Sequence, residues 1–389
     1  MIVKFYETGA VTATAMLDLD AFRHAVAGWL DARELLLDRQ RACFSFELAE
    51  IAAVQQELQE ELFAAGWVRH GWPEALGGLG GDARHRATLY DELGRRRVPI
   101  PESYLTVETL LPMLSVHAPD LAARHLDDLL RGAERWCQGF SEPDAGSDLA
   151  SLRTRAVRDG EDWVIDGHKI WTSQATVSQR CVALVRTGSP ESRHRGLSMF
   201  LVDHDTRGVE VRGIRTMSGR DELGEVLFDA ARVGGDRLIG NEGDGWALAM
   251  YLLQWERGMY PWQRQAALLG ALDDLLEHHE TIDPTALADA YLAVLPMRLS
   301  ARHTIRRLSA GETPGPEVSV DKVLLARAEL AVHDLVDAVL DGDVEVGDSA
   351  EARSWRHEYL FSRSAPIYGG SYEIQRQILA ERVLGLPRG

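Results

Sequence analysis

The spacing of apolar residues changes twice along this chain, and those two changes do most to limit what it can fold into. Residues 18–133 carry apolar side chains every three or four positions, as in the stretches 20–37 and 47–65, and that period predicts amphipathic helices. Gly66 stands where the second of these would stop, Trp72-Pro73 with Gly77, Gly78, Gly80 and Gly81 marks a loop, and further helix is predicted near 84–97 and 120–131. From 134 to about 240 the texture is different. Short β-rich runs at 162–172, 180–187, 197–203, 209–214 and 225–229 alternate with turns, and Asp166-Gly167 reads as a hairpin turn. Beyond Gly245 the helical period returns at 246–267, 285–307, 318–340 and 371–384, broken by loops at 311–316 and 342–350. Helices, then strands, then helices argue for a mainly α chain with a central antiparallel β domain, not for an alternating parallel sheet. The expected domains are 1–133, 134–240 and 241–389.

Composition removes several function classes. Acidic residues number 60 and basic residues 42, a net charge of −18. Such a chain repels polyphosphate backbones, so no nucleic-acid partner is expected. The longest apolar run, 246–255, is ten residues and includes Gln254, which is too short for a membrane span. Glu7, Asp18 and Asp20 leave no room near the N-terminus for a signal peptide. Cys43, Cys137 and Cys181 are far apart and odd in number, and no CxxC or Cys/His cluster is visible in the sequence. Neither a disulfide framework nor a metal site is expected, which suits a reducing, cytoplasmic location. Lysine occurs only at Lys4, Lys169 and Lys322, and asparagine only at Asn241, which reads as the codon bias of a GC-rich genome.

Generic motifs give little. Gly78-Leu-Gly80-Gly-Asp-Ala83 fits the dinucleotide fingerprint by letter, but Trp72-Pro73-Glu74 precedes it where a buried strand should be. There is no Walker A sequence, GxSxG or HExxH. Three separated segments carry more. They are Gln138-Gly-Phe-Ser-Glu-Pro-Asp-Ala-Gly-Ser-Asp148, Gly167-His-Lys-Ile-Trp-Thr-Ser-Gln-Ala175, and Ile367-Tyr-Gly-Gly-Ser-Tyr-Glu-Ile-Gln-Arg376 continuing to Ala380-Glu-Arg-Val-Leu-Gly-Leu-Pro-Arg388.

With these in order, the chain resembles an acyl-CoA dehydrogenase over nearly its whole length. Val211-Arg-Gly-Ile-Arg-Thr-Met-Ser-Gly219, Glu225-Val-Leu-Phe228, the run from Arg237 to Trp246, and Gly66-Trp67 followed by Trp72-Pro73-Glu74 extend the likeness. The resemblance implies FAD as cofactor. It places Gln138, Phe140, Ser141, Gly146, Ser147, Trp171, Thr172, Ser173, Gly370, Ser371 and Glu373 at the cofactor, with the Trp171 ring on one flavin face. Ser147, Arg257, Tyr368 and Gly369 fall at the substrate. The residues themselves are compatible with this. Gly146 and Ser147 let backbone approach a ligand, a tryptophan suits stacking, and Gly369-Gly370-Ser371 opens a helix whose free N–H groups suit an anion. The same residues taken singly also suit a surface turn, a strand tryptophan packed in a core, and an N-cap by Ser371.

The implied reaction is α,β-dehydrogenation of an acyl thioester, which needs a base for the α-proton. Many family members carry it as the glutamate of a Tyr-Glu-Gly sequence, where this chain has Gly369. Others place it on an earlier helix in a Leu-x-x-Glu-Arg context, and Leu252-Leu-Gln-Trp-Glu256-Arg257 matches that. Glu256 therefore inherits the role of base, and Arg257 is expected near a phosphate of the carrier arm. The family's Arg-x-x-Phe-Gly and Gln-x-x-Gly-Gly-x-Gly stretches are missing, as in a subset whose members often work as heteromeric pairs. The carrier can be CoA or an acyl carrier protein. The resemblance also implies an electron-transfer flavoprotein as electron acceptor, and assembly as a homo-oligomer or as a heterotetramer with a sister subunit. Two alternatives stand beside it: a non-catalytic or half-site partner subunit, and a flavin oxidase or monooxygenase on the same fold.

Overall fold

The computed structural model describes residues 17–45, 47–279 and 281–387. The signal-peptide reading of the first residues and Arg388 fall outside them. Helices α1 (Leu19–Asp31), α2 (Glu34–Arg41), α3 (Leu48–Ala64), α4 (Ala83–Arg95), α5 (Ser103–His117) and α6 (Pro119–Leu130) come first. Asp18 starts α1 by accepting the Ala21 N–H at 2.8 Å. Gly66, at φ +85°, follows the end of α3 as the period required. Among these six, α5 matches no predicted stretch, and the later helix Ala350–Ser362 does not either. α5 is buried along most of its length, so it lacks the polar stripe that reveals a helix in a sequence, and Pro112 lies inside it.

Strands β1 (Trp136–Gly139), β2 (Arg155–Asp159), β3 (Asp162–Ser173), β4 (Arg180–Arg186), β5 (Leu197–Asp203), β6 (Val209–Ile214), β7 (Leu223–Val233) and β8 (Leu238–Ile239) follow. They form one sheet in the order β6-β7-β3-β2-β4-β5-β8, with β1 also on β4. The pairings are antiparallel except that β4 runs parallel to both β1 and β2. The expected hairpin turn at Asp166-Gly167 is not one. Those residues lie inside the continuous strand β3, at a register shift against β7. The hairpin closes earlier, where Asp159 pairs with Asp162 across Gly160 and Glu161, and Gly160 has φ +68°.

The remaining helices are α7 (Gly245–His278), α8 (Pro284–Ser309), α9 (Ser319–Leu340), α10 (Asp343–Val346), α11 (Ala350–Ser362) and α12 (Tyr372–Ile378), after which a wider turn spans Leu379–Val383. α7 runs past the predicted end at 267, and α10 occupies part of the expected acidic loop. α7 is the axis of the molecule, packing on α4 and α5 on one side and on α8 and α9 on the other. Pro261 sits inside it and has no N–H to give, so the carbonyl of Arg257 lacks its usual helical partner. Three apolar clusters hold the chain together. The largest joins the first helices to α7 and one face of the sheet, another lies within the sheet, and the third joins α7, α8 and α9.

Candidate active site

The first two sequence segments meet at the end of the sheet. Ser141 leaves β1 and its carbonyl accepts the Ile170 N–H of β3 at 3.0 Å. Beneath them lies a buried clamp. Lys169, 0% exposed, donates to the Phe140 carbonyl at 3.1 Å and to the Glu142 carboxylate at 2.8 Å. Glu142 also accepts the backbone N–H groups of Arg153 (2.6 Å) and Thr154 (2.9 Å). Burial alone would raise the Glu142 carboxyl, but the Lys169 charge and these donors outweigh it and hold it below the usual carboxylate value. Gln138 is tied elsewhere, to Thr109 of α5 at 2.8 Å. Beyond the clamp the strand presents its end. Trp171, with φ +59°, is 57% exposed, Ser173 is exposed, and Thr172 turns inward with a buried hydroxyl that has no hydrogen-bond partner. Phe140 and Ser141 are partly buried. Gly146 and Ser147 are exposed, and nothing lies within 4 Å of where a Gly146 Cβ would be.

The second group forms where α7, α9 and the segment after α11 converge. A Cβ at Gly369 would lie 2.9 Å from Glu256 Oε1 and 3.3 Å from Lys322 Cε. Glu256 therefore reaches across to the notch that Gly369, at φ +62°, leaves open. Burial raises the Glu256 carboxyl above its usual value, while the charges of Arg257 and Lys322 pull it back. Tyr368 accepts from the Tyr260 hydroxyl at 3.2 Å and lies under the Lys322 ammonium, 4.4 Å from ring centre to Nζ. The Arg257 Nε is buried without a partner, and burial together with the like charge of Arg382 lowers its basicity. Trp255, Tyr260 and Trp262 lie close to Glu256 in the sequence, but only Tyr260 joins this group. Trp262 is core and donates to the Ala87 carbonyl at 2.8 Å, and Trp255 packs on the core beside Arg86.

Buried charge fills the ground between the two groups. Gln174 donates to Glu102 at 2.8 Å, Glu222 lies 3.5 Å from His357 of α11, and Arg264 bridges Glu329 and Glu358 below Tyr260. None of these was expected to matter, because a lone glutamate in a sequence reads as surface. In the third segment, Ser371 caps α12 by accepting the Ile374 N–H at 3.4 Å, and Glu373 is exposed. α12 has only seven residues, and one of its free N–H groups is already taken, which weakens the case for an anion held by the helix end. Gln375, fully buried, has no partner for either amide atom, and its Nε2 stands where a Cβ at Gly370 would go.

One grouping reverses an expectation. Cys137 and Cys181 face each other across β1 and β4, and His204 Nε2 stands 3.7 Å from Cys137 Sγ, so cysteines distant in sequence do form a Cys/His cluster. The neighbouring Cys137 thiol, then His204 and last the Lys169 charge, lower the Cys181 thiol below its usual value against the effect of burial.

Three family models match in succession: the acyl-CoA dehydrogenase N-terminal domain over residues 31–133, the middle domain over 137–231 and the C-terminal domain over 243–384. Acyl-CoA dehydrogenase IpdE1 of Mycobacterium tuberculosis is 38% identical, with 96% of this chain and 99% of the relative aligned. Among solved structures, the Tcur3481-Tcur3483 steroid ACAD superposes with a TM-score of 0.80 at 25% identity over 97% of this chain and 100% of the other. The ChsE4-ChsE5 complex from Mycobacterium tuberculosis does so with a TM-score of 0.76 at 25% identity over the same shares. Matched in order by all three domains and along its length by a full-length relative, the chain belongs to the acyl-CoA dehydrogenase family.

Proposed function

We propose that Glu256 is the base that takes the α-proton of an acyl thioester in this protein. The observation that carries the reading is the shared notch. Glu256 Oε1 lies 2.9 Å from where a side chain at Gly369 would begin, so its carboxylate reaches the place from which other family members' glutamate acts. As an acyl-CoA dehydrogenase the protein is an FAD-dependent oxidoreductase acting on CH–CH bonds. The residues present fit that cofactor. An exposed indole at Trp171 offers a flat face, and the unpartnered Thr172 hydroxyl and Gln375 amide offer hydrogen bonds that the protein itself does not use. Trp171, Thr172, Ser173, Phe140 and Ser141 would hold the flavin ring, with Gln138 behind them, and Gly146, Ser147, Gly370, Ser371 and Glu373 would face the rest of the cofactor. When bound, FAD supplies the two-electron acceptor for the hydride that leaves the β-carbon. Glu256 takes the α-proton, and the α,β double bond forms from the electrons of the broken Cα–H bond. Charge develops on the thioester oxygen and requires hydrogen bonds there.

Tyr368 and Gly369 line the thioester end, and Ser147 lies on the side of the flavin loop. Arg257 and Arg382, two guanidinium groups near each other with the Arg257 Nε unpartnered, suit a phosphate of the carrier arm. That chemistry is common to CoA and to an acyl carrier protein. An electron-transfer flavoprotein is the proposed acceptor for the electrons. The steroid ACAD and ChsE4-ChsE5 structures are each named for a pair of chains, which supports assembly with a sister subunit, as do the missing Arg-x-x-Phe-Gly and Gln-x-x-Gly-Gly-x-Gly stretches. We take 1–133, 134–240 and 241–389 as the domains.

The test is an anaerobic titration of the purified protein with a panel of acyl-CoAs. The flavin spectrum of the wild type should bleach with at least one, and Glu256→Gln should slow bleaching by about 10²–10⁴-fold, the usual contribution of a general base. Undiminished bleaching in Glu256→Gln would remove Glu256 from the role. A protein that is colourless unless co-expressed with a second chain would establish the half-site reading.

A further inference from the structure

Lysine is rare here. Among 42 basic residues only three are lysines, so arginine serves wherever a cation is needed at the surface. Both lysines that the structure describes are buried: Lys169, 0% exposed, and Lys322, 4% exposed. At Lys169 the clamp explains the choice, because a compact ammonium fits between a carbonyl and a carboxylate where a planar guanidinium would not. Lys322 is the second buried lysine, and it holds no such clamp.

Lys322 lies on α9 and donates to the Ala365 carbonyl after α11. The Tyr368 ring lies against its Nζ, Gly369 against its Cε, and Glu256 and Arg257 of α7 face it. Glu329 of α9 also bears on it, but that carboxylate is held by Arg264, which Glu358 of α11 shares. Tyr260 closes the group through Tyr368. Among the described residues Glu256 has no hydrogen bond and no ion pair, and Lys322 has no ion pair. Lys322, a buried cation without an ion pair, and Glu256, a carboxylate without a donor, therefore face the same notch.

We infer that Lys322 is a positioning residue for the proposed base, its ammonium keeping the Glu256 carboxylate ionised and turned toward the notch at Gly369. This rests on Glu256 being the base. A carboxylate taken out of water is driven toward its neutral acid, which cannot accept a proton. Arg257 also acts on Glu256, yet even with both charges in place burial holds the carboxyl above its usual value, so neither charge is spare. Lys322 is the second positive charge acting on Glu256. A fixed ammonium also holds the carboxylate without covering it, since at no point does the pair close to hydrogen-bond contact.

The experiment is an infrared pH titration of the FAD-loaded protein. The carbonyl band of protonated Glu256 is identified as the band missing from Glu256→Gln. In Lys322→Met its midpoint should rise by about one unit or more, the usual effect of losing an opposite charge at such a site. The acid limb of kcat/KM, for the acyl-CoA that bleaches the wild type, should rise with it, so that activity lost near neutrality returns at higher pH. Lys322→Arg, which restores charge, should bring the midpoint back toward wild type, and Lys322→Gln repeats the neutral case should Met fail to fold. An unchanged midpoint in Met and Gln, or the same rise in Arg as in Met, would overturn the inference whatever happens to kcat. The base assignment fails separately, by full activity in Glu256→Gln.

Discussion

Lys169→Met would remove the cation from the clamp that joins the first two segments of the site. Lys169 is fully buried, with donors on the Phe140 carbonyl and on Glu142. Breaking a buried ion pair from one side costs about 3–5 kcal/mol, because the other charge stays buried. Glu142 would keep the N–H groups of Arg153 and Thr154, which places its share near the lower end, and the Phe140 carbonyl would lose a donor worth about 1 kcal/mol. The expected loss is about 4 kcal/mol, read from urea unfolding. In the wild type the folded Glu142 carboxyl sits below its usual value, so its contribution is present above the unfolded value and fades as pH falls through the folded one. In the variant the uncompensated carboxylate favours protonation instead, so acidification should narrow the gap between the two proteins. Lys169→Met with Glu142→Gln should be less damaging than the sum of the single changes by about 1–3 kcal/mol. A loss below about 1 kcal/mol, strict additivity, or a gap that widens in acid would refute this account of the clamp.

The carboxyl of Glu222 is pushed up to about 7 by burial, with Glu102 and Glu358 adding to the effect. Its folded value exceeds its unfolded one, so the fold should lose stability as pH rises from about 4.5 to 7, and Glu222→Gln should recover up to about 3 kcal/mol at alkaline pH, measured by unfolding across that window; a gain that is the same at acid pH would contradict the cause given. Thr172→Val removes a buried hydroxyl with no partner in the protein. It should leave the flavin-free chain as stable as before, or up to about 1 kcal/mol more so, while weakening FAD retention, and a flavin-free chain that is markedly less stable would show that the hydroxyl is already satisfied. Leu292, Leu295 and Leu299 are exposed at helical spacing along α8. Glutamate at Leu295 and Leu299 should reduce the mass of the assembly by light scattering, and an unchanged mass would mean that this stripe faces water in the assembled protein.

The order of helices and strands was legible because amphipathic elements print their period into the sequence, as at residues 20–37. α5 escaped for the opposite reason, since burial on most sides leaves no polar stripe to read. Asp166-Gly167 was misleading because a glycine that relieves a register shift inside a strand looks the same in one dimension as a glycine at a hairpin tip. Within the site, the residues that resemble a family motif could be named in advance, but not their supports. Glu102, Glu222 and Arg264 lie in no motif and are defined by partners far away in sequence, as Cys137, Cys181 and His204 are by strand pairing, and Glu142, though inside the first segment, shows its role only through Lys169. Lys169 and Lys322 did leave a trace, in the scarcity of lysine itself, although that scarcity was read as genome bias.

Gly369 and Glu256 occupy one space from two directions, and this limits the routes by which such a chain can change over time. A carboxylate added at 369 would put its first atom 2.9 Å from Glu256 Oε1, so Glu256 would have to swing aside to admit it. A lineage that moves its acid between α7 and the segment after α11 therefore does not pass through a form that holds both extended into the notch. It must cross a form that carries neither, or one in which the older acid has first been turned away. The crossing is easiest where a sister gene covers for the idle copy, so duplication before the exchange, with the two copies then kept as unlike partners, is a course that this geometry favours.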